Sequence, residues 1–431
     1  GVLQYRFVYD NFREKGKTKM NLTKQFFKYV SQNILGMIGF SCYVLADSYF
    51  ISIAKGADGL TALNLVMPLY SIIFSIGEMI GVGSAIRYAI SKIKKDADAD
   101  DYFWNALIWC ILSSMLFVFA GIFFSADIMR VLGADEHIVA VGNNYTKIFM
   151  CFAPMFMCNY VTNAFVRNDG APGIAMSATL FSSLFNIVFD YILMFPMNLG
   201  MEGAALATAL SPIIGMGICS IHFFSKKSSV RLVVCKPSVR KLVAGSQLGV
   251  SAFVGEMSSA VITLAFNFVI LKLAGNVGVA AYGVVANIAI VTTAVFNGVA
   301  QGSQPLISSC FGRGDKDGCT QLKRMGYTTA FVLAAVMYSI LFIFAGQFVA
   351  VFNSEGSEML RLYATEGVKL YFIGIFFAGI NIVGGGAFSA TEDAFKAAVV
   401  SVARGFVLIL GAVFVMSALF GMTGVWLAYA V

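Results

Sequence analysis

Gly200-Met-Glu-Gly-Ala-Ala-Leu-Ala-Thr-Ala-Leu210 and Gly421-Met-Thr-Gly-Val-Trp-Leu-Ala-Tyr-Ala-Val431 are near-copies of one segment, set in a chain that is apolar almost throughout. Duplication inside such a chain points to two like halves with a route for a solute between them. Outward from this pair, Tyr49-Phe-Ile-Ser-Ile-Ala-Lys-Gly56 matches Phe268-Val-Ile-Leu-Lys-Leu-Ala-Gly275 at an offset of 219. Gly81-Val82 and Ile90-Ser91 match Gly298-Val299 and Ile307-Ser308 at an offset of 217.

The 431 residues are 58% hydrophobic and only 12% charged, with a mean hydropathy of +0.80. That balance cannot be wrapped around a water-soluble core, so the chain belongs in a bilayer. Forty Phe and 42 Gly suit transmembrane helices, where small residues let backbones approach and rings fill the gaps.

Apolar runs of roughly 18 to 30 residues, each able to cross about 30 Å of hydrocarbon, fall at 31–53, 60–89, 103–126, 139–164, 173–198 and 203–224. After a basic linker they resume at 242–273, 279–309, 325–351, 360–388 and 394–419, and a last run opens at Gly424. The expected fold is an all-α polytopic membrane protein: twelve transmembrane helices in two pseudo-symmetric six-helix lobes, the twelfth cut short. By the length needed to span, that last helix is expected to continue about fifteen residues further, so the chain is expected to lack its natural C-terminal end. The division is a cytoplasmic N-terminal arm at 1–30, an N-lobe at 31–224, a cytoplasmic linker at 225–241 and a C-lobe at 242–431. The first thirty residues are polar and basic, an arm and not a cleaved leader.

Orientation follows from Lys and Arg, which cytoplasmic loops retain. Arg6, Arg13, Lys15, Lys17, Lys19, Lys24 and Lys28 precede the first span, Lys92, Lys94 and Lys95 follow the second, and Arg167 follows the fourth. Lys226, Lys227, Arg231, Lys236, Arg240 and Lys241 fill the linker, and Arg313, Lys316, Lys323 and Arg324 follow the eighth span. The N-terminus is expected inside a plasma membrane, the inner membrane of a bacterium, crossed by a multi-pass chain. Anionic lipid accounts for the net charge of +7 without a nucleic acid.

A carboxylate in hydrocarbon costs several kcal/mol, so an acid within an apolar span meets a cation, a proton or water. Asp47, Asp190 and Glu256 stand out. At about 1.5 Å per residue, Asp47 and Asp190 both lie about 25 Å from the cytoplasmic ends of their helices, and Thr208 reaches the same level. Asn186 precedes Asp190 by one turn and shares its face. One pocket holding Asp47, Asn186, Asp190 and Thr208 would be nearly all oxygen, which suits a hard cation or a proton. The bland alternative is that Asn186 and Asp190 merely satisfy each other. Glu256, without an acidic twin in the first half, either binds an organic cation, carries a proton, joins a Na+ site, or is a protonated Glu bonded across helices. Glu78 ranks below these, and Glu202 lies at a solvated helix mouth.

Met67, Tyr70, Phe152, Met155, Phe156, Met157, Phe266 and Phe296 are possible lining for bulky, greasy cations, although such side chains on membrane helices are most often packing. Pro68, Pro154, Pro212 and Pro305 fall inside helices and free backbone carbonyls; Pro68 and Pro305 are the expected hinges. Eight Cys without a C-x-x-C pair, and His137 and His222 at loop ends, give no metal or catalytic cluster, and no Gly-rich Lys-Ser/Thr phosphate loop is present. No cofactor and no enzymatic activity are expected. The Asn168-Asp169-Gly170 turn with Pro172 is expected to shape the fourth connection.

Ala46-Asp47-Ser-Tyr-Phe-Ile-Ser, Arg167-Asn-Asp-Gly-Ala-Pro172, Asn186-Ile-Val-Phe-Asp190-Tyr-Ile-Leu, Gly203-Ala-Ala-Leu-Ala-Thr208 and Gly298-Val-Ala-Gln-Gly-Ser-Gln-Pro-Leu-Ile-Ser308 occur in order along the chain. In these segments it resembles the multidrug and toxic compound extrusion (MATE) transporters, of the multidrug/oligosaccharidyl-lipid/polysaccharide flippase superfamily. The resemblance implies Na+ or H+ coupling at Asp47, Asn186, Asp190 and Thr208, and it makes Glu256 look like the C-lobe acid of other branches. The chain departs from the pattern where many members carry a proline early in the first and seventh helices; here Gln32-Asn33-Ile34-Leu35-Gly36 and Leu248-Gly249-Val250-Ser251 stand.

The expected function is a secondary active antiporter, acting as a monomer. It would export amphipathic or cationic organic compounds against a Na+ or H+ gradient by alternating access between lobes. The alternative with the same fold is a flippase of a lipid-linked glycan, or an exporter of an endogenous metabolite.

Overall fold

The computed structural model describes residues 2–352 and 357–430, with side chains from 21 onward apart from 57, 351 and 352. The basic residues from Arg6 to Lys19 lie outside the described side chains. Helix Val2–Lys94 is broken at Gly56 (φ 59°, ψ −142°), giving α1, Asn21–Gly56, and α2, Asp58–Lys94. Then come α3, Asp101–Val131; α4, Glu136–Cys151 with Ala153–Asn168; α5, Pro172–Met194; and α6, Gly200–Phe223. Helix Val239–Gly312 is broken at Gly275 (φ 62°, ψ −157°) into α7, 239–274, and α8, 276–312. The remainder is α9, Lys316–Ile343; α10, Glu358–Ala390; and helix Ala394–Leu427, divided at Gly421 (φ 58°, ψ −134°) into α11, 394–420, and α12, 422–427.

Among the described residues nine helices are long and apolar enough to cross a bilayer, and the bent α4 pair makes a tenth. Dividing Val239–Gly312 at Gly275 and letting α12 open after Gly421 completes twelve, six to a lobe. The quoted repeat is visible in the backbone: Gly200 has φ 52° and Gly421 φ 58°, while Gly56 and Gly275 have φ 59° and 62°. Four equivalent helix junctions turn through the left-handed region that glycine enters without the clash of a Cβ.

Two expectations change. Residues 21–30 are helix, not arm, because Leu22, Phe26 and Val30 recur every fourth position and pack into the C-lobe cluster. The fourth run bends at one of the prolines singled out above: α4 bends by 46° beside Pro154, whose missing N–H interrupts the ladder. Pro68 and Pro305 leave their helices unbroken, since the non-helical torsions fall at Gly56 and Gly275 instead. The turn before Pro305 is closely packed, for a Cβ at Gly302 would lie 2.7 Å from Val30 Cα.

The lobes meet along α1 with α8 and α2 with α7, a pairing that exchanges under the repeat. A Cβ on Gly298 would lie 2.6 Å from Ile34 Cα, and one on Gly83 2.7 Å from the Gly249 nitrogen. Arg87 of α2 pairs with Glu392 after α10, and Arg87 Nη2 donates to Ala244 O at 3.3 Å. These contacts sit at the ends bearing the basic loops, so the halves are pressed together there.

Candidate functional site

Three acids in the connections are helix caps. Asp135 accepts from the Ile138 N–H at 2.8 Å, Asp315 from Gly318 N–H at 2.8 Å and Asp393 from Lys396 N–H at 3.3 Å, which satisfies donors that every helix start leaves open. Asp169 accepts from His222 Nε2 (2.8 Å), Tyr88 Oη (3.1 Å) and Ser229 N–H (2.8 Å). It therefore ties α2, α6 and the linker together, beyond shaping its own turn. Glu202 is exposed and accepts from Asn144 Nδ2 at 2.7 Å.

The acids inside the spans are arranged differently. Asn186 and Asp190, one turn apart on α5, are both 0% exposed, Thr208 of α6 is 1% and Asp47 of α1 is 6%. With its amide oriented to match its neighbours, Asn186 Nδ2 donates to Asp190 Oδ2 at 3.2 Å, and its oxygen accepts from Thr208 Oγ1 (3.1 Å) and Thr208 N–H (3.3 Å). Asp47 and Asp190 are within electrostatic reach of each other, and each keeps one buried oxygen, Oδ1, without a hydrogen-bond partner. A buried unpaired carboxylate oxygen costs several kcal/mol unless a proton or cation meets it. The structure thus joins Asn186, Asp190 and Thr208 by hydrogen bonds and sets Asp47 within electrostatic reach of Asp190, with two oxygens unanswered among the described residues. Two carboxylates, an amide oxygen and a hydroxyl fit Na+, and the carboxylate pair also fits a shared proton.

Tyr43, one turn before Asp47, was not singled out by sequence. It lies within electrostatic reach of Asp47, Asp190 and Glu256 and also lines a cavity of about 300 Å³ between the lobes. Its i, i−4 spacing from Asp47 was the available signal. Glu256 of α7 opens on the same cavity, as do Glu78, Arg167 and Arg404. Arg167 is 4% exposed and its Nη1 donates to Gln301 Oε1 at 2.7 Å, while Gln301 Nε2 donates to Glu78 Oε1 at 3.1 Å. One α8 amide therefore bridges two oppositely charged N-lobe side chains across the interface.

The expected aromatic lining is largely corrected. Phe156 lines the cavity. Tyr70 instead stacks on Phe149 at 3.6 Å with its hydroxyl bonded to Tyr145, and Phe266 stacks on Tyr282 at 5.1 Å. Phe296 packs against Gly379, Met67 and Phe152 lean on the N-lobe cluster, and Met155 is 37% exposed. A greasy side chain on a membrane helix faces lipid, core or cavity with no difference in its local sequence.

The MatE family model matches residues 33–192 and 252–426, one stretch in each lobe. The chain is 28% identical over 395 residues to the multidrug export protein MepA of Staphylococcus aureus (strain MRSA252), covering 89% of this chain and 84% of that one. To the MepA of Staphylococcus saprophyticus it is 26% identical over 390 residues with the same coverage. Among solved structures, an outward-facing multidrug resistance MATE family transporter superposes with a TM-score of 0.88 at 20% identity, covering 95% of this chain and 92% of that one. A MOP superfamily transporter from Pyrococcus furiosus superposes with a TM-score of 0.87 at 20% identity and the same coverage. With both lobes matched by one family model and the twelve-helix fold shared, the chain belongs to the MatE family of membrane transporters.

Proposed function

We propose that the protein is a secondary active antiporter that exports amphipathic, often cationic organic compounds in exchange for Na+ or H+. The observation that carries this is the pair of buried oxygens on Asp47 and Asp190 that have no hydrogen-bond partner among the described residues, with Tyr43, within electrostatic reach of both acids, lining the inter-lobe cavity. The multidrug export named for the staphylococcal relatives supports the same reading. Na+ or a proton neutralises the carboxylates in one state of the lobes, and its release leaves them charged and able to favour the other. Glu256 offers the C-lobe charge for a cationic cargo. At about 2.3 kcal/mol per charge per 100 mV, one ion exchanged for a neutral solute sustains a concentration ratio of about 50.

The basic loops support an N-terminus in the cytoplasm. The lobe contacts at that end then close the cavity toward the cytoplasm, and the opposite state would open it there. The cavity wall carries two acids, Glu78 and Glu256, against two arginines, which disfavours a flippase gripping pyrophosphate.

Transport of a cationic dye in proteoliposomes under imposed Na+ or H+ gradients tests this. Asp190→Asn is expected to abolish gradient-driven efflux while the protein stays folded, and Glu256→Gln to reduce efflux of cationic cargo. Normal transport by both variants would remove the proposed site.

A further inference from the structure

Arg404 is the cavity charge for which neither coupling nor lobe contact accounts. It lies in α11, within a helix long and apolar enough to cross a bilayer, and there a guanidinium is retained only where it meets a partner or water. Among the described residues it makes no ion pair and no hydrogen bond; its electrostatic neighbour is the Tyr429 hydroxyl. Its side chain lines the inter-lobe cavity. The backbone that carries it, Ala403–Leu408, is π-helical, a distortion that re-aims side chains and recurs at functional sites.

The neighbouring residue shows where this bulge sits. A Cβ on Gly405 would lie 2.7 Å from Ser258 Cβ and 3.5 Å from Val254 Cγ1, so the π-helical turn is in close contact with the turn of α7 that holds Glu256. Of the four charged side chains on the wall, Glu78 and Arg167 are joined through Gln301. Glu256 and Arg404 remain, on adjoining turns of the C-lobe, facing one cavity and not paired with each other. A planar guanidinium fork binds carboxylate, sulfonate or phosphate oxygens two at a time.

We propose that Arg404 anchors an acidic group of the cargo, so that the cavity selects amphipathic zwitterions whose anionic end meets Arg404 and whose cationic end meets Glu256. This rests on the antiport reading only in taking the cavity as the cargo site.

The test measures binding of two forms of one xanthene dye, a cationic rhodamine ester and its zwitterionic free acid, to the purified full chain by fluorescence anisotropy. Arg404→Gln is expected to weaken the free acid at least about tenfold, the loss of one charge-assisted hydrogen bond, and to leave the ester within about twofold. Arg404→Lys should recover part of the loss. Equal weakening of both dyes, no weakening of either, or wild-type binding of the ester without the acid would overturn the proposal, with the unfolding midpoint confirming that each variant is folded. Binding needs no ion gradient. Arg404-dependent binding without gradient-driven efflux would therefore overturn the antiport reading alone, and gradient-driven efflux of the ester with no effect of Arg404 on the acid would overturn this one alone.

Discussion

Asn186 shows how one amide can organise a charged pocket in lipid. Its nitrogen answers one oxygen of Asp190, and its oxygen takes both the hydroxyl and the N–H of Thr208. Leucine has a similar volume and can do neither, so Asn186→Leu leaves a carboxylate and a hydroxyl unanswered at about 1–3 kcal/mol each. The expected result is loss of ion-driven efflux together with a lower unfolding temperature, whereas Thr208→Ser keeps the hydroxyl and should transport. Efflux by Asn186→Leu at the wild-type rate would mean that the amide has no part in coupling. Asp47 and Asp190 were legible as a pair because acids are rare in apolar spans and their depths can be counted along the helix. Tyr43 was not, because tyrosine in a membrane helix carries no such rarity.

Junction glycines rule the element scale. Gly56, Gly275 and Gly421 have φ between 58° and 62°, and a Cβ at any of them would meet nothing within 4 Å. The cost of alanine there is backbone strain alone, about 1–2 kcal/mol per site. Gly56→Ala and Gly275→Ala, at the two positions that the repeat equates, should each lower the thermal midpoint in detergent by a similar amount; one midpoint unchanged while the other falls would break the equivalence of the two junctions. Gly83 differs, because α7 backbone lies against it. Gly83→Val should push α2 from α7 and disfavour the state with the lobes closed at that end, which cysteine cross-linking between α2 and α7 would report as a lower yield. The prolines divide: Pro154 stands at the bend of α4, whereas Pro68 and Pro305 lie in unbroken helix and the positive φ of Gly56 and Gly275 redirects the chain instead.

For the whole molecule the question is what holds the two lobes together at the end where they meet. The ion pair of Arg87 with Glu392 joins them, and its side chains keep 23% and 22% exposure, so screening limits it to about 1 kcal/mol, about a fivefold shift in population. Glu392→Gln should therefore move the equilibrium away from this closure without unfolding the protein. The exchange Arg87→Glu with Glu392→Arg should restore it, read as solvent access to a cysteine in the cavity. Equal access in all three proteins would show that this ion pair has no part in the closure.

Run length, charge placement and the repeated Gly-Met-x-Gly segment lie along the chain itself, and from them came twelve spans, two like lobes and the acidic pair of the N-lobe. Those properties depend on the thickness of hydrocarbon and the cost of charge within it, which act on any helix whatever its neighbours. The cavity wall did not follow. Whether Phe266 or Phe156 faces the cavity, and that Gln301 bridges Glu78 to Arg167 while Arg404 has no ion pair among the described residues, depend on how each helix is rotated against the others. That rotation is set by contacts between residues hundreds of positions apart, which leave no periodic trace in either segment alone.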